Sequence, residues 1–191
     1  MVIEYLTGIL VLVTAIYAYL THKLAQSSAA AVAAMEQQNW EASRAFIVAS
    51  PFVRSHTPFL YLRIRNNGRS SALNLTMQID KDFFQFAETS KSDHNLRNKN
   101  AFNQVIDAFH PGQELVFALA QGWKIFGDKP RPEVCPAKFT ITATYDCLGK
   151  RVTESNPIDL TAFLGSEGER DPIVEELERM RKTVEKRCFE V

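Results

Sequence analysis

The stretch FLYLRIRNNGRSSALNLTMQI, Phe59–Ile79, decides how this chain is read. Leu60, Leu62 and Ile64 alternate with Phe59, Tyr61, Arg63 and Arg65. After Gly68, Leu73, Leu75, Met77 and Ile79 alternate with Ala72, Asn74, Thr76 and Gln78. A period of two marks half-buried strands, and Asn67-Gly68 between them is a residue pair suited to a type I′ turn. Such a hairpin sets Leu62 opposite Leu73 and Leu60 opposite Leu75, with both apolar sets on one side of the ribbon. The alternative is that Gly68, Ser70, Ser71 and Ala72 mark a crossing between two sheets of a sandwich. The hairpin is the expectation, because pattern and turn chemistry agree independently.

Neighbouring segments repeat the signal. Ala45–Val53 (AFIVASPFV) reads as an edge strand, since Pro51 has no N–H for a ladder. Glu88–Gln104 is polar and of low order, Pro111-Gly112 is a turn, and Glu114–Leu119 resumes strand character. In Lys138–Asp146, Phe139, Ile141, Ala143 and Tyr145 alternate with threonines. Leu148-Gly149 then turns the chain into Arg151–Leu160, with Tyr145 facing Val152 and Phe139 facing Ile158. Roughly six to eight short strands predict a mainly β fold, an antiparallel immunoglobulin-like β-sandwich over residues 45–165, with a small barrel as the alternative.

At the N-terminus, Val2–Leu20 (VIEYLTGILVLVTAIYAYL) carries one charge, Glu4. A helix crosses a hydrocarbon layer of about 30 Å in about twenty residues, so 1–21 is expected to be a transmembrane helix in contact with lipid through residues 2–20. The acidic start, with His22 and Lys23 after the apolar run, favours an uncleaved signal anchor over a cleaved signal peptide. Lys23 and Arg44 on the C-terminal side favour a cytoplasmic domain. Residues 22–44 lack Gly and Pro and are rich in Ala, Gln and Glu, which predicts a helical stalk. Leu24, Ser28, Ala31, Met35 and Ala42 fall on a seven-residue repeat. Two readings stay open: a self-associating stalk, or a helix whose small face lies on its own β-domain.

Residues 166–191 predict a C-terminal amphipathic helix, with Asp171 at the cap and Pro172 at its first position. Ile173, Leu177, Met180, Val184 and Cys188 form one stripe. Packing of that stripe on the sandwich is the expectation, and a partner-binding helix through Ile173, Leu177, Met180 and Val184 the alternative.

Asn66, Gly68, Ala72 and Asn74, with the later Tyr145, Asp146 and Gly149, match an Asn-x-Gly-x-x-x-Ala-x-Asn stretch and a Tyr-Asp-x-x-Gly turn. With the order of span, Ala/Gln-rich helix and sandwich, the chain resembles a diffuse group of bacterial single-span membrane proteins, mostly uncharacterised. The resemblance implies the bacterial inner membrane and brings no catalytic residues.

Chemistry is sparse. The 22 basic and 22 acidic side chains cancel, so no overall field draws the chain to nucleic acid, which is not an expected partner. Cys135, Cys147 and Cys188 show no CxxC spacing, and a Cys135–Cys147 bridge stays open. His22, His56, His94 and His110 are scattered without ligand spacing, so no metal and no cofactor are expected. No nucleophile, Walker or dinucleotide motif occurs, and no catalytic residue is assigned. Arg54, Arg63, Arg65 and Arg69, with Tyr61 to stack a base, are the candidate site for a small anionic ligand, although a solvated sheet face is the favoured explanation of these residues.

The expected function is therefore a membrane-anchored, non-enzymatic protein-binding or assembly module at the cytoplasmic membrane surface, engaging a protein partner or another copy of itself. A ligand-responsive effector that binds an anionic nucleotide, and a periplasmic accessory protein, are the alternatives.

Overall fold

The computed structural model describes residues 2–55, 57–166 and 172–189. It divides into two compact units, Met1–Arg44 and Ala45–Val191. The first is one uninterrupted helix, α1 (Val2–Ser43). Its apolar residues from Ile3 to Leu20 are exposed, and it is long and apolar enough to cross a membrane by length and composition. Both a membrane anchor and a signal sequence fit that description. The hydroxyls of Thr7, Thr14 and Thr21 donate to the carbonyls four residues back, Ile3, Leu10 and Tyr17, so these polar groups are satisfied within the helix.

The second unit holds two antiparallel sheets. One has three strands in the order β1 (Ile47–Val53), β2 (Phe59–Asn66) and β5 (Glu114–Gln121). The other has four, in the order β4 (Ile106–Phe109), β3 (Ala72–Ile79), β6 (Lys138–Cys147) and β7 (Lys150–Asp159). Short helices α2 (Asn100–Asn103) and α3 (Gly122–Phe126) and the longer α4 (Pro172–Phe189) complete the chain, which is mixed α/β rather than mainly β. Leu62 and Ile64 from one sheet and Leu75, Met77, Ile141 and Tyr145 from the other belong to a single buried core. Each such side chain contributes about 1.5–3 kcal/mol on burial.

Asn67-Gly68 is not a hairpin turn. β2 is flanked by β1 and β5, and β3 by β4 and β6, so residues 67–71 carry the chain from one sheet to the other. The crossing is knotted by the buried Asn66. Its Oδ1 accepts from the Phe46 and Gly68 N–H groups at 3.1 and 2.9 Å, and its Nδ2 donates to the Ser70 and Phe109 carbonyls at 2.9 Å each. Its main chain donates to Gln113 O and accepts from Gly112 N, so the crossings after β2 and after β4 are fastened at one residue. The predicted alternation in β3 also breaks. Three β3 residues from Leu73 oppose two on β6, Asn74 takes φ 50°, and Ala72 and Leu75 are buried while Leu73 is exposed. This is a β-bulge, and asparagine tolerates the left-handed conformation better than most residues.

The β6–β7 hairpin follows its sequence. Leu148 and Gly149 have φ of 49° and 76°, as a type I′ turn requires, and the register sets Tyr145 opposite Val152 and Phe139 opposite Ile158. At its open end Lys138 Nζ lies 2.7 Å from Asp159 Oδ2. The hydrogen bond from Lys138, then those from Thr161, hold this exposed carboxyl at about 2, below its ordinary 3.8. A depressed folded pKa contributes stability above the unfolded value and loses it as pH falls through the folded one, here from 3.8 towards 2. Asp159→Asn is therefore expected to lower the urea midpoint at neutral pH and to leave it unchanged at the acid end of that window. Equal shifts at both pH values would refute the coupling.

β1 is an edge strand, and that edge is closed by side chains. Ile47 N donates to Glu154 Oε2 at 2.8 Å, Ala49 N donates to Asn156 Oδ1 at 3.1 Å, and Asn156 Nδ2 returns a bond to Ile47 O at 3.3 Å. Pro51 is next in this outward series, where its missing N–H costs the β1–β2 ladder nothing. At the top of β1 the Tyr145 hydroxyl donates to Ala45 O at 2.9 Å and Ala45 N donates to Cys147 Sγ at 3.1 Å.

One further expectation is corrected, and one open question is closed. Glu88–Gln104 contains ordered turns, because Leu96 is buried, its N–H donates to Phe83 O, and Arg97 bonds Asp82 and the carbonyls of Ile79 and Asp80. Cys135 and Cys147 are free, buried thiols, not a bridge.

Candidate functional site

The β1–β2 register places Phe52 opposite Tyr61 on the outer face of the three-stranded sheet, with ring centroids 5.5 Å apart. The Arg54 guanidinium lies 4.9 Å from the Tyr61 centroid and 5.5 Å from that of Phe52, and the Arg63 guanidinium lies 5.0 Å from Phe52. Each exposed contact of this kind is worth roughly 0.5–1 kcal/mol. Arg54, Tyr61 and Arg63 are thus brought together, with Phe52 as the member that sequence reasoning missed. Its signal was the period of two in β1, which puts Phe52 on the face opposite Ile47 and Ala49.

The rest of the arginine set disperses. Arg65 faces Glu114 across the β2–β5 ladder, and Arg69 lies in the crossing beyond β2, at the opposite end of that strand from Arg54. The four arginines do not converge on one anion. A base stacking on Tyr61 would also have to compete with Arg54 for the ring.

A second feature had no sequence forecast. At the end of the sheets where β1 passes into β2, a cleft of about 380 Å³ opens between the β1–β2 connection, α3 and the segment Phe163–Ser166. Trp123, Phe126, Phe163 and Leu164 give it apolar walls, and Arg54 is the one charged side chain among its described lining residues. Gly127 closes α3 where a Cβ would come within 2.2 Å of the Trp123 carbonyl oxygen, so glycine is required there.

α4 begins at Pro172, as expected; Asp171 lies outside the described residues. Among the described residues the stripe does not pack on the sheets: Ile173, Leu177 and Met180 are exposed, the last two by 59% each. The side chains of Val184 and Cys188 lie outside the described residues. In α1, Leu24, Ser28, Ala31, Met35 and Ala42 are all exposed along one heptad-spaced line.

Among the described residues, no group of three His, Cys, Asp or Glu side chains could hold a metal ion. Burial pushes the Cys135 thiol up to about 11, which opposes nucleophilic use at neutral pH.

A family model described as "Domain of unknown function (DUF8453)" matches residues 2–164, so the match covers α1 and both sheets and stops short of α4. No curated protein and no solved structure matches the chain.

Proposed function

Taking as premise that the chain belongs to the DUF8453 family of unknown function, we propose that it is a membrane-anchored, non-enzymatic assembly module. Residues 2–20 form the span in a bacterial inner membrane, 22–44 the stalk, and the two sheets an immunoglobulin-like sandwich on the cytoplasmic side. The strand order supports that fold: strands 1, 2 and 5 in one sheet and 4, 3, 6 and 7 in the other, with the chain changing sheets after strands 2, 4 and 5. Lys23 and Arg44, following the apolar run, support the orientation.

The observation that carries the assembly reading is the exposed apolar stripe of α4. A helix that leaves Leu177 and Met180 in water gains by covering them, and helix-in-groove recognition is the common way to do so.

The orientation is tested in a Cys188→Ser background, with Ser90→Cys as reporter in the exposed stretch after β3. Cys135 and Cys147 are buried and stay silent in the folded chain. A membrane-impermeant maleimide is expected to label Ser90→Cys only after permeabilisation. Labelling of intact cells would place the domain outside the cytoplasm. Amine cross-linking in the same membranes is expected to shift the full chain to higher mass; a chain that stays monomeric and captures no other protein would sink the assembly reading.

A further inference from the structure

We propose that the cleft beside α3 binds a small, soluble monocarboxylate with an apolar body, its carboxylate held by Arg54. Such binding goes beyond the assembly reading and does not depend on it, since none of the described α4 residues lines the cleft. At about 380 Å³ the cleft falls within the roughly 300–1,000 Å³ of small-ligand pockets. Its walls include Trp123, Phe126, Phe163 and Leu164, and two of these stand largely in water: Trp123 is 59% exposed and Leu164 68%. An occupant with an apolar body removes that surface from water.

The polar groups of the lining specify one charged end and no more. Gly127 N donates to Trp123 O, and the N–H groups of Leu164 and Ser166 donate to Thr161 O and Phe163 O, at 3.1 Å each. The Thr57 hydroxyl donates to Arg54 O at 3.3 Å and the Ser166 hydroxyl to Phe163 O at 2.8 Å. These donors are engaged within their own turns. Arg54 differs: its guanidinium lies over the Tyr61 and Phe52 rings and, among the described residues, makes no ion pair or hydrogen bond. Ring contact engages the face of a guanidinium and leaves its in-plane N–H groups, a fork that matches a carboxylate. One cation balances one negative charge. A dianion such as a phosphate monoester would bring its second charge against described walls that hold no other cation, at a desolvation cost.

The test uses the full chain in phosphatidylcholine nanodiscs, with octanoate as the probe. Trp40→Phe leaves Trp123, in the cleft wall, as the single tryptophan. Octanoate is expected to change the Trp123 fluorescence saturably, and Arg54→Gln to weaken that binding about tenfold, as loss of a charge-assisted hydrogen bond does. The neutral octan-1-ol is expected to bind more weakly than octanoate and to be indifferent to Arg54→Gln. Leu164→Asp, which sets a negative charge in the wall, is expected to weaken octanoate as well. Both substituted side chains are exposed, and silence of the buried Cys135 and Cys147 towards maleimide in a Cys188→Ser background shows that each variant is folded. The absence of a saturable response to octanoate would overturn the site, and an equal loss of acid and alcohol on Arg54→Gln would overturn the role of the guanidinium. A Trp123 change produced by phosphatidylglycerol nanodiscs alone, and not reversed by octanoate, would assign the cleft to lipid and overturn the soluble acid.

Discussion

Asn66→Ala is expected to destabilise the β-domain by about 2–6 kcal/mol, the sum for two buried groups orphaned at roughly 1–3 kcal/mol each. The substitution strips partners from the N–H groups of Phe46 and Gly68 and from the carbonyls of Ser70 and Phe109. These four groups belong to the residue leading into β1, to the β2–β3 crossing and to β4, so the loss loosens three parts of the fold together. Asn66→Asp is a sharper probe. It keeps the acceptor for the two N–H groups, removes both donors, and adds a charge at a fully buried position. Both variants should move the urea concentration at which Cys147 becomes reactive to maleimide, measured on the full chain with Cys188→Ser. An unchanged midpoint would mean that the crossing holds without its asparagine.

Tyr145→Ala should be comparably severe, at about 3–5 kcal/mol for a large aromatic removed from a core. Tyr145 is 1% exposed and is among the largest buried side chains, so little of the space can refill without movement of both sheets. Tyr145→Phe separates the hydroxyl from the ring. It keeps the volume and leaves Ala45 O without this donor, for a cost of about 1–2 kcal/mol. The same thiol-reactivity midpoint reports both variants, and a Phe variant as damaged as the Ala variant would show that the hydroxyl, not the packed ring, dominates. In either case the entry of the chain into β1 is the first place to loosen, because Ala45 is held from β6 through Tyr145 and Cys147.

The arginine site shows how far local pattern carries. Strand alternation put Tyr61, Arg63 and Arg65 on one face, and the β1–β2 register added Arg54 through Phe52. Arg69 was grouped with them only because the hairpin reading folded it back alongside β2. When the turn became a crossing, that residue left the site. The cleft had no sequence signal, since its walls come from the β1–β2 connection, α3 and the segment before α4, each too short to show a period.

Sequence alone determined the features whose deciding interactions are local. The unbroken α1, the start of α4 at Pro172 and the β6–β7 register through Leu148-Gly149 depend on neighbours within a few positions. Only the tertiary structure decided between a hairpin and a crossing at Asn66–Ser71. Alternation is nearly degenerate there, because a hairpin and two strands facing each other across a core both bury Leu60, Leu62 and Leu75. What breaks the tie is the Asn66 side chain, whose partners Phe46 and Phe109 lie 20 and 43 residues away.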